Sequence, residues 1–192
     1  LVRLLTVEEY GILNSLLSFA LIAGQVAAPF QPALTKFIAG LSGEKEAGRI
    51  RYIINQAGRD IAVFSGIIFL IFILFSAPLS EYLQIKNRGD IILLGLLVSV
   101  FILAAVPKAF LQGTQLFKQL SFLIMLSAFA KMLVGAGLVY LGAGPAGGLA
   151  GKIAGPALIL TGGILIGRRY FRRVPSERLH SDRVSMRPIY RY

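Results

Sequence analysis

The chain has no cysteine and no tryptophan, a single histidine, and only nine acidic residues in 192. Without cysteine there are no disulfides, no thiolate-bound zinc and no thiol chemistry. His180 stands alone in a polar stretch, so no His/carboxylate metal set can be assembled, and neither metal nor cofactor is expected. Charged residues make up 15%, against roughly 25% in a soluble domain. Hydrophobic residues reach 56% and the mean hydropathy is +0.73. These values exclude a water-soluble domain. They also exclude intrinsic disorder, which needs low hydrophobicity.

What the chain does have is a series of long apolar runs, at about residues 10–38, 61–78, 91–110, 119–141 and 146–167. Each is longer than a buried strand, and none alternates with period 2. A helix satisfies its own backbone in lipid, so helices are the expected spanning form. The expected fold class is all-α, a polytopic transmembrane helix bundle. It places five spans in residues 1–167 and a basic cytoplasmic tail in 168–192.

The formal net charge is +11. In a soluble protein this would point to nucleic acid. Here the basic residues sit between or after apolar runs, so membrane lipids are the expected partner and nucleic acid is not. If connections alternate sides, fifteen of the 20 Lys and Arg fall on one side and three on the other. Lys131 and Lys152 lie within spans. Basic loops stay in the cytoplasm, which puts the N-terminus outside and the C-terminus inside the cell inner (plasma) membrane. The chain starts at Leu1, and an outside N-terminus is unusual without a leader. The expectation is therefore a fragment with one more span ahead of Leu1.

Lys131 is the sharpest functional candidate. It lies near the bilayer centre, where a charge costs about 2.5–3.5 kcal/mol on insertion scales. Ser127 and Gly135 share its face, which is small and polar and is expected to look inward. One reading is a cation lining a hydrated cavity that holds an anion. The other is a lysine paired to a helix-end carbonyl or shifted toward an interface. Lys152 lies closer to an end of its span, where either snorkelling or a cavity role explains it. Asn14, Ser18, Gln25, Pro29 and Pro32 share one side of the first span. They are either the lining of a transport pathway or an interhelical hydrogen-bond stripe.

Gly147, Gly151 and Gly155 repeat every four residues, as do Gly163 and Gly167; such rows permit close helix approach. Arg168, Arg169, Arg172 and Arg173 read as a topology anchor or an anionic-lipid contact. Residues 40–59 mix charged with apolar side chains, as a short interfacial helix does. Asp60 and Asp90 are expected to open spans, where a carboxylate suits a helix N-terminus. No carboxylate is placed mid-membrane. That speaks against a proton-, sodium- or cation-drug-coupled site. It also leaves no paired carboxylates, no Ser-His-Asp set and no phosphate-cradling glycine loop, so an enzyme is not expected.

Three segments carry a resemblance. They are Leu5-Thr6-Val7-Glu8-Glu9-Tyr10-Gly11 entering the first span, Ala33-Leu34-Thr35-Lys36-Phe37-Ile38-Ala39 leaving it, and Ala109-Phe110-Leu111-Gln112-Gly113-Thr114-Gln115-Leu116-Phe117 between the third and fourth. In order and spacing, residues 5–167 resemble the N-terminal lobe of the polysaccharide biosynthesis/export proteins. These are O-antigen-type flippases of the multidrug/oligosaccharidyl-lipid/polysaccharide transporter superfamily. The resemblance implies a partial lobe of a two-lobe transporter. It implies a polyprenyl-pyrophosphate-linked sugar as cargo, with a second lobe or partner subunit outside this chain. On that expectation Lys131 contacts the anionic carrier, while Asn14, Ser18, Gln25 and Lys152 line the pathway. A drug exporter of the same superfamily and a non-transporting accessory subunit are the alternatives.

Overall fold

The computed structural model describes residues 6–41, 47–82, 85 and 87–172, with backbone only for residues 23, 26, 27 and 47. Of the residues named above, Leu1, Leu5, Arg173 and His180 lie outside the described residues, as do residues 42–46 of the 40–59 segment and the tail beyond Arg172. Among the described residues the chain is entirely helical. The helices are α1 (Val7–Ala27), α2 (Phe30–Gly40), α3 (Ala47–Leu74), α4 (Ser76–Tyr82), α5 (Arg88–Leu103), α6 (Ala105–Gly113), α7 (Phe117–Tyr140) and α8 (Gly144–Arg172).

Proline explains three of the breaks. A proline has no N–H for the carbonyl four residues earlier, and its ring clashes there. Pro78 sits four residues after Leu74, where α3 ends, and Pro107 four residues after Leu103, where α5 ends. Pro29 and Pro32 flank the break between α1 and α2, where the Ala28 N–H closes on the Gln25 carbonyl at 3.2 Å. Expected span 10–38 is therefore two helices. Expected span 91–110 bends at Ala104, and span 61–78 stops at Leu74.

Two further expectations need correction. Residues 47–59 form no separate interfacial helix; they are the first half of α3, continuous with the span. Asp60 accordingly lies inside α3 and opens nothing, whereas Asp90 does sit in the first turn of α5. The tail boundary also moves, because Arg168, Arg169 and Arg172 belong to α8.

Four helical stretches among the described residues are long and apolar enough to cross a membrane: Gly48–Leu74, Arg88–Gly113, Phe117–Tyr140 and Gly144–Arg172. Their outer faces carry the rows that lipid would cover. Val63, Ile67, Leu70 and Leu74 stand exposed on α3, and Phe122, Phe129, Met132 and Leu133 on α7. Apolar patches of this extent are not sustained in water. The molecule is a membrane-embedded helical bundle.

The α5 helix is its centre, packing on α1, α3 and α8. Ile91, Leu94, Val98 and Ile102 are buried along it. Ser65 and Ser99 clasp α3 to α5: each hydroxyl donates to the other residue's carbonyl, at 2.9 and 3.1 Å. In lipid such interhelical bonds average about 0.6 kcal/mol each. Gln31 and Thr35 of α2 donate to the Gln112 side chain of α6 at 3.0 and 3.4 Å. The turn from α7 to α8 runs through Gly142 and Gly144, at φ +86° and +53°, a backbone region that disfavours other residues.

Candidate functional site

A cavity of about 690 Å³ opens between α1, α2, α5, α6, α7 and α8. Its lining brings together Asn14, Ser18 and Gln25 of α1, Lys131 of α7 and Lys152 of α8. These are the five residues singled out from the sequence. Pro32, on the same side of the first span, lines it as well. Lys152 therefore faces the cavity, and snorkelling is not needed to place it.

A sixth residue, Lys108, was missed. It falls inside the expected span 91–110, but its charge was counted only toward topology. Leu97, Phe101, Ala105 and Lys108 all line the cavity, one helical face carried from α5 into α6. The signal was present in that helical spacing, which continues the face of the span through Lys108. The Lys108 ammonium stands 5.3 Å from the centre of the Phe101 ring, another lining residue.

Helix packing determines how Lys131 reaches this wall. It is the fifteenth residue of α7, roughly 21 Å from the helix start at 1.5 Å per residue. Ser127 and Gly135, one turn to either side, are buried, as expected of that face. The glycine row of α8 meets it. A Cβ at Gly147 would come within 2.9 Å of the Val139 backbone nitrogen, and one at Gly151 within 2.6 Å of the Gly135 nitrogen. A Cβ at Gly155 would meet the stem of Lys131, its Cγ at 2.8 Å. So Gly147 and Gly151 bring the two backbones together, and Gly155 leaves a trough in which the lysine stem lies across α8.

The polar side is supplied by α1. The Ser18 hydroxyl donates to the Asn14 carbonyl at 2.9 Å, as serine commonly does in membrane helices. The amides of Asn14 and Gln25 line the same wall, and Gln31 continues it onto α2. Pro156 lines the opposite wall and offers no N–H to the carbonyl of Lys152.

Three ammonium groups from three helices thus share one cavity, and no carboxylate stands among the described residues that line it. Like charges sharing one space within a membrane repel, and each is costly without a counter-charge. The arrangement is chemically suited to an anion of more than one negative charge, with amide and hydroxyl groups beside it for neutral polar groups. No group of three or more metal-ligating side chains occurs among the described residues. No family model, curated protein or solved structure matches the chain.

Proposed function

We propose that the chain is one incomplete lobe of a transporter that flips a polyprenyl-pyrophosphate-linked oligosaccharide across the cytoplasmic membrane for polysaccharide biosynthesis and export. The observation that carries this reading is the acid-free cavity lined by Lys108, Lys131 and Lys152. A pyrophosphate supplies several negative charges in a compact group and can engage three lysines at once. The amides and hydroxyl of Asn14, Ser18, Gln25 and Gln31 suit the first sugar. The volume, about 690 Å³, lies within the roughly 300–1,000 Å³ of small-ligand sites. It accommodates the head of such a lipid, and the remaining sugars extend toward a second lobe or partner subunit.

In this reading the broken pair α1–α2 is a fifth span, with the N-terminus outside and the end of α8 in the cytoplasm. Interrupted helices at the binding site are common in transporters. The expectation of no carboxylate within a span fails, because Asp60 lies inside the candidate span Gly48–Leu74. A cation-drug exporter is still the poorer fit, since α3 does not line the cavity and its described lining holds no carboxylate. An accessory subunit would co-purify with a partner and leave transport intact when deleted. The test is Lys131→Ala in the complete native gene product, with outer-leaflet lipid-linked sugar and exported polymer as readouts. Loss of both with normal protein level is expected; unchanged export removes the proposal.

A further inference from the structure

A second basic site lies on the other side of α6. Where Ala105 and Lys108 face the lysine cavity, Val106, Pro107 and Phe110 face a groove of about 500 Å³ between α3 and α8. Two pairs of residues spaced four apart line it: Arg51 and Asn55 on α3, and Arg168 and Arg172 on α8. Residues at that spacing share a helix face. The start of α3 and the end of α8 therefore present three guanidiniums and an amide to one space. No carboxylate is among the described lining residues.

The groove is built with care at its floor. A Cβ at Gly163 would meet Pro107, its Cγ at 3.2 Å, so the glycine lets α6 lie against α8. Phe110 packs with Tyr170 and Phe171 at ring separations of 5.6 Å each, and those two rings stand 5.4 Å apart. This cluster fixes the last turns of α8, and with them the bases of Arg168 and Arg172. Guanidinium is the residue chemistry of choice for phosphate oxygens, because its planar fork donates two hydrogen bonds at once. One turn further into the bundle, about 6 Å along α8, the lining becomes apolar at Gly163 and Ile164. The site is thus cationic at its mouth and apolar below.

We infer that this groove seats the phosphate head of an anionic phospholipid, with an acyl chain running past Ile164 into the bilayer. The apolar floor favours a lipid over free phosphate, which would use only the cationic mouth. The inference does not rest on the transport reading, because α3 lines only this groove and Lys131 and Lys152 line only the other cavity. A single basic cluster at a membrane surface attracts anionic lipid without structure, so the test must separate a site from net charge.

The experiment measures retention of phosphatidylglycerol by the purified full chain in detergent, by native mass spectrometry, against phosphatidylcholine as the neutral reference. The wild type is expected to retain phosphatidylglycerol at least tenfold better than phosphatidylcholine. The double variant Arg168→Gln/Arg172→Gln is expected to lose that preference. Lys118→Gln/Arg169→Gln removes two charges from exposed positions outside the groove and is expected to keep it. Equal loss in both variants would overturn the inference, leaving surface charge alone. Displacement of phosphatidylglycerol by millimolar inorganic phosphate would overturn it in favour of a free-phosphate site. Because all four side chains are exposed, these variants leave the core intact.

Discussion

The bundle has two cationic spaces, and they differ in depth and in the residue that supplies the charge. The inner cavity uses lysines, on three helices, with one of them near the middle of α7. The outer groove uses arginines: Arg168 and Arg172 near the C-terminal end of α8, where a cation complements the helix dipole, and Arg51 near the start of α3, where it does not. A cation at a helix end is inexpensive and has a structural explanation ready. A cation deep in a span costs kilocalories and persists only where something offsets it. The comparison teaches that depth along the span, more than charge count, separates the two spaces; on the proposed reading the deep one takes cargo and the outer one takes lipid. Lysine, a compact charge on a flexible stem, suits an anion that must move on; the rigid guanidinium fork suits one that stays.

The largest expected effect comes from reversing the inner charge. Lys131→Glu should weaken binding of a pyrophosphate-bearing polyprenyl lipid by about 100-fold, close to 2.8 kcal/mol at 1.4 kcal/mol per factor of ten. Phosphatidylglycerol retention at the outer groove should be unchanged. Equal loss at both sites would erase the distinction between them.

Next is the wall that carries Lys131. Gly151→Ala places a Cβ against the backbone of Gly135, which cannot move aside cheaply. Overpacking of this kind costs roughly 1–3 kcal/mol, and a lowered thermal midpoint in detergent would register it. Gly155→Ala sharpens the contrast, because it meets only the flexible Lys131 stem. Stability should change by less than for Gly151→Ala, whereas anion affinity should fall about threefold to tenfold, or up to about 1.4 kcal/mol. A stability loss without an affinity loss would show that the trough does not position the lysine.

The smallest effect lies at the start of α1, which carries the polar wall. Thr6 and Glu9 form a capping box: the Glu9 carboxylate accepts from the Thr6 N–H at 2.9 Å, and the Thr6 hydroxyl accepts from the Glu9 N–H at 3.3 Å. These bonds hold the Glu9 carboxyl below its ordinary value of 4.5. A depressed carboxyl contributes stability that is present above the unfolded value and lost as pH falls through the folded one. Hydrogen exchange at residues 7–10, corrected for its intrinsic rate, should therefore quicken only below about pH 4.5. Thr6→Ala should produce the same quickening at neutral pH.

Much of the inner cavity was legible in the sequence because its signals are local. Asn14, Ser18 and Gln25 recur at helical spacing, and a lysine inside an apolar run announces itself. Lys108 was overlooked because its charge, close to the inner turn, was counted toward topology, although it continues the face of Leu97, Phe101 and Ala105. The first half of α3 was hidden by its charges, which look like a loop yet continue the helix for about four turns beyond the apolar run. Of the outer groove only the Arg168 and Arg172 side showed in the sequence, as an anchor or anionic-lipid contact; the groove itself did not. Arg51 and Arg168 are far apart in sequence, and α6 alone brings their helices around one space. No short-range pattern records that.

The most direct test is the affinity of the purified full chain for undecaprenyl diphosphate in detergent, with wild type set against Lys108→Gln/Lys131→Gln/Lys152→Gln. A fall of at least 100-fold in the triple variant, with its helical content and thermal midpoint retained, is the result expected of an anion cavity. An unchanged affinity in a folded triple variant would contradict it and leave the three lysines without a ligand.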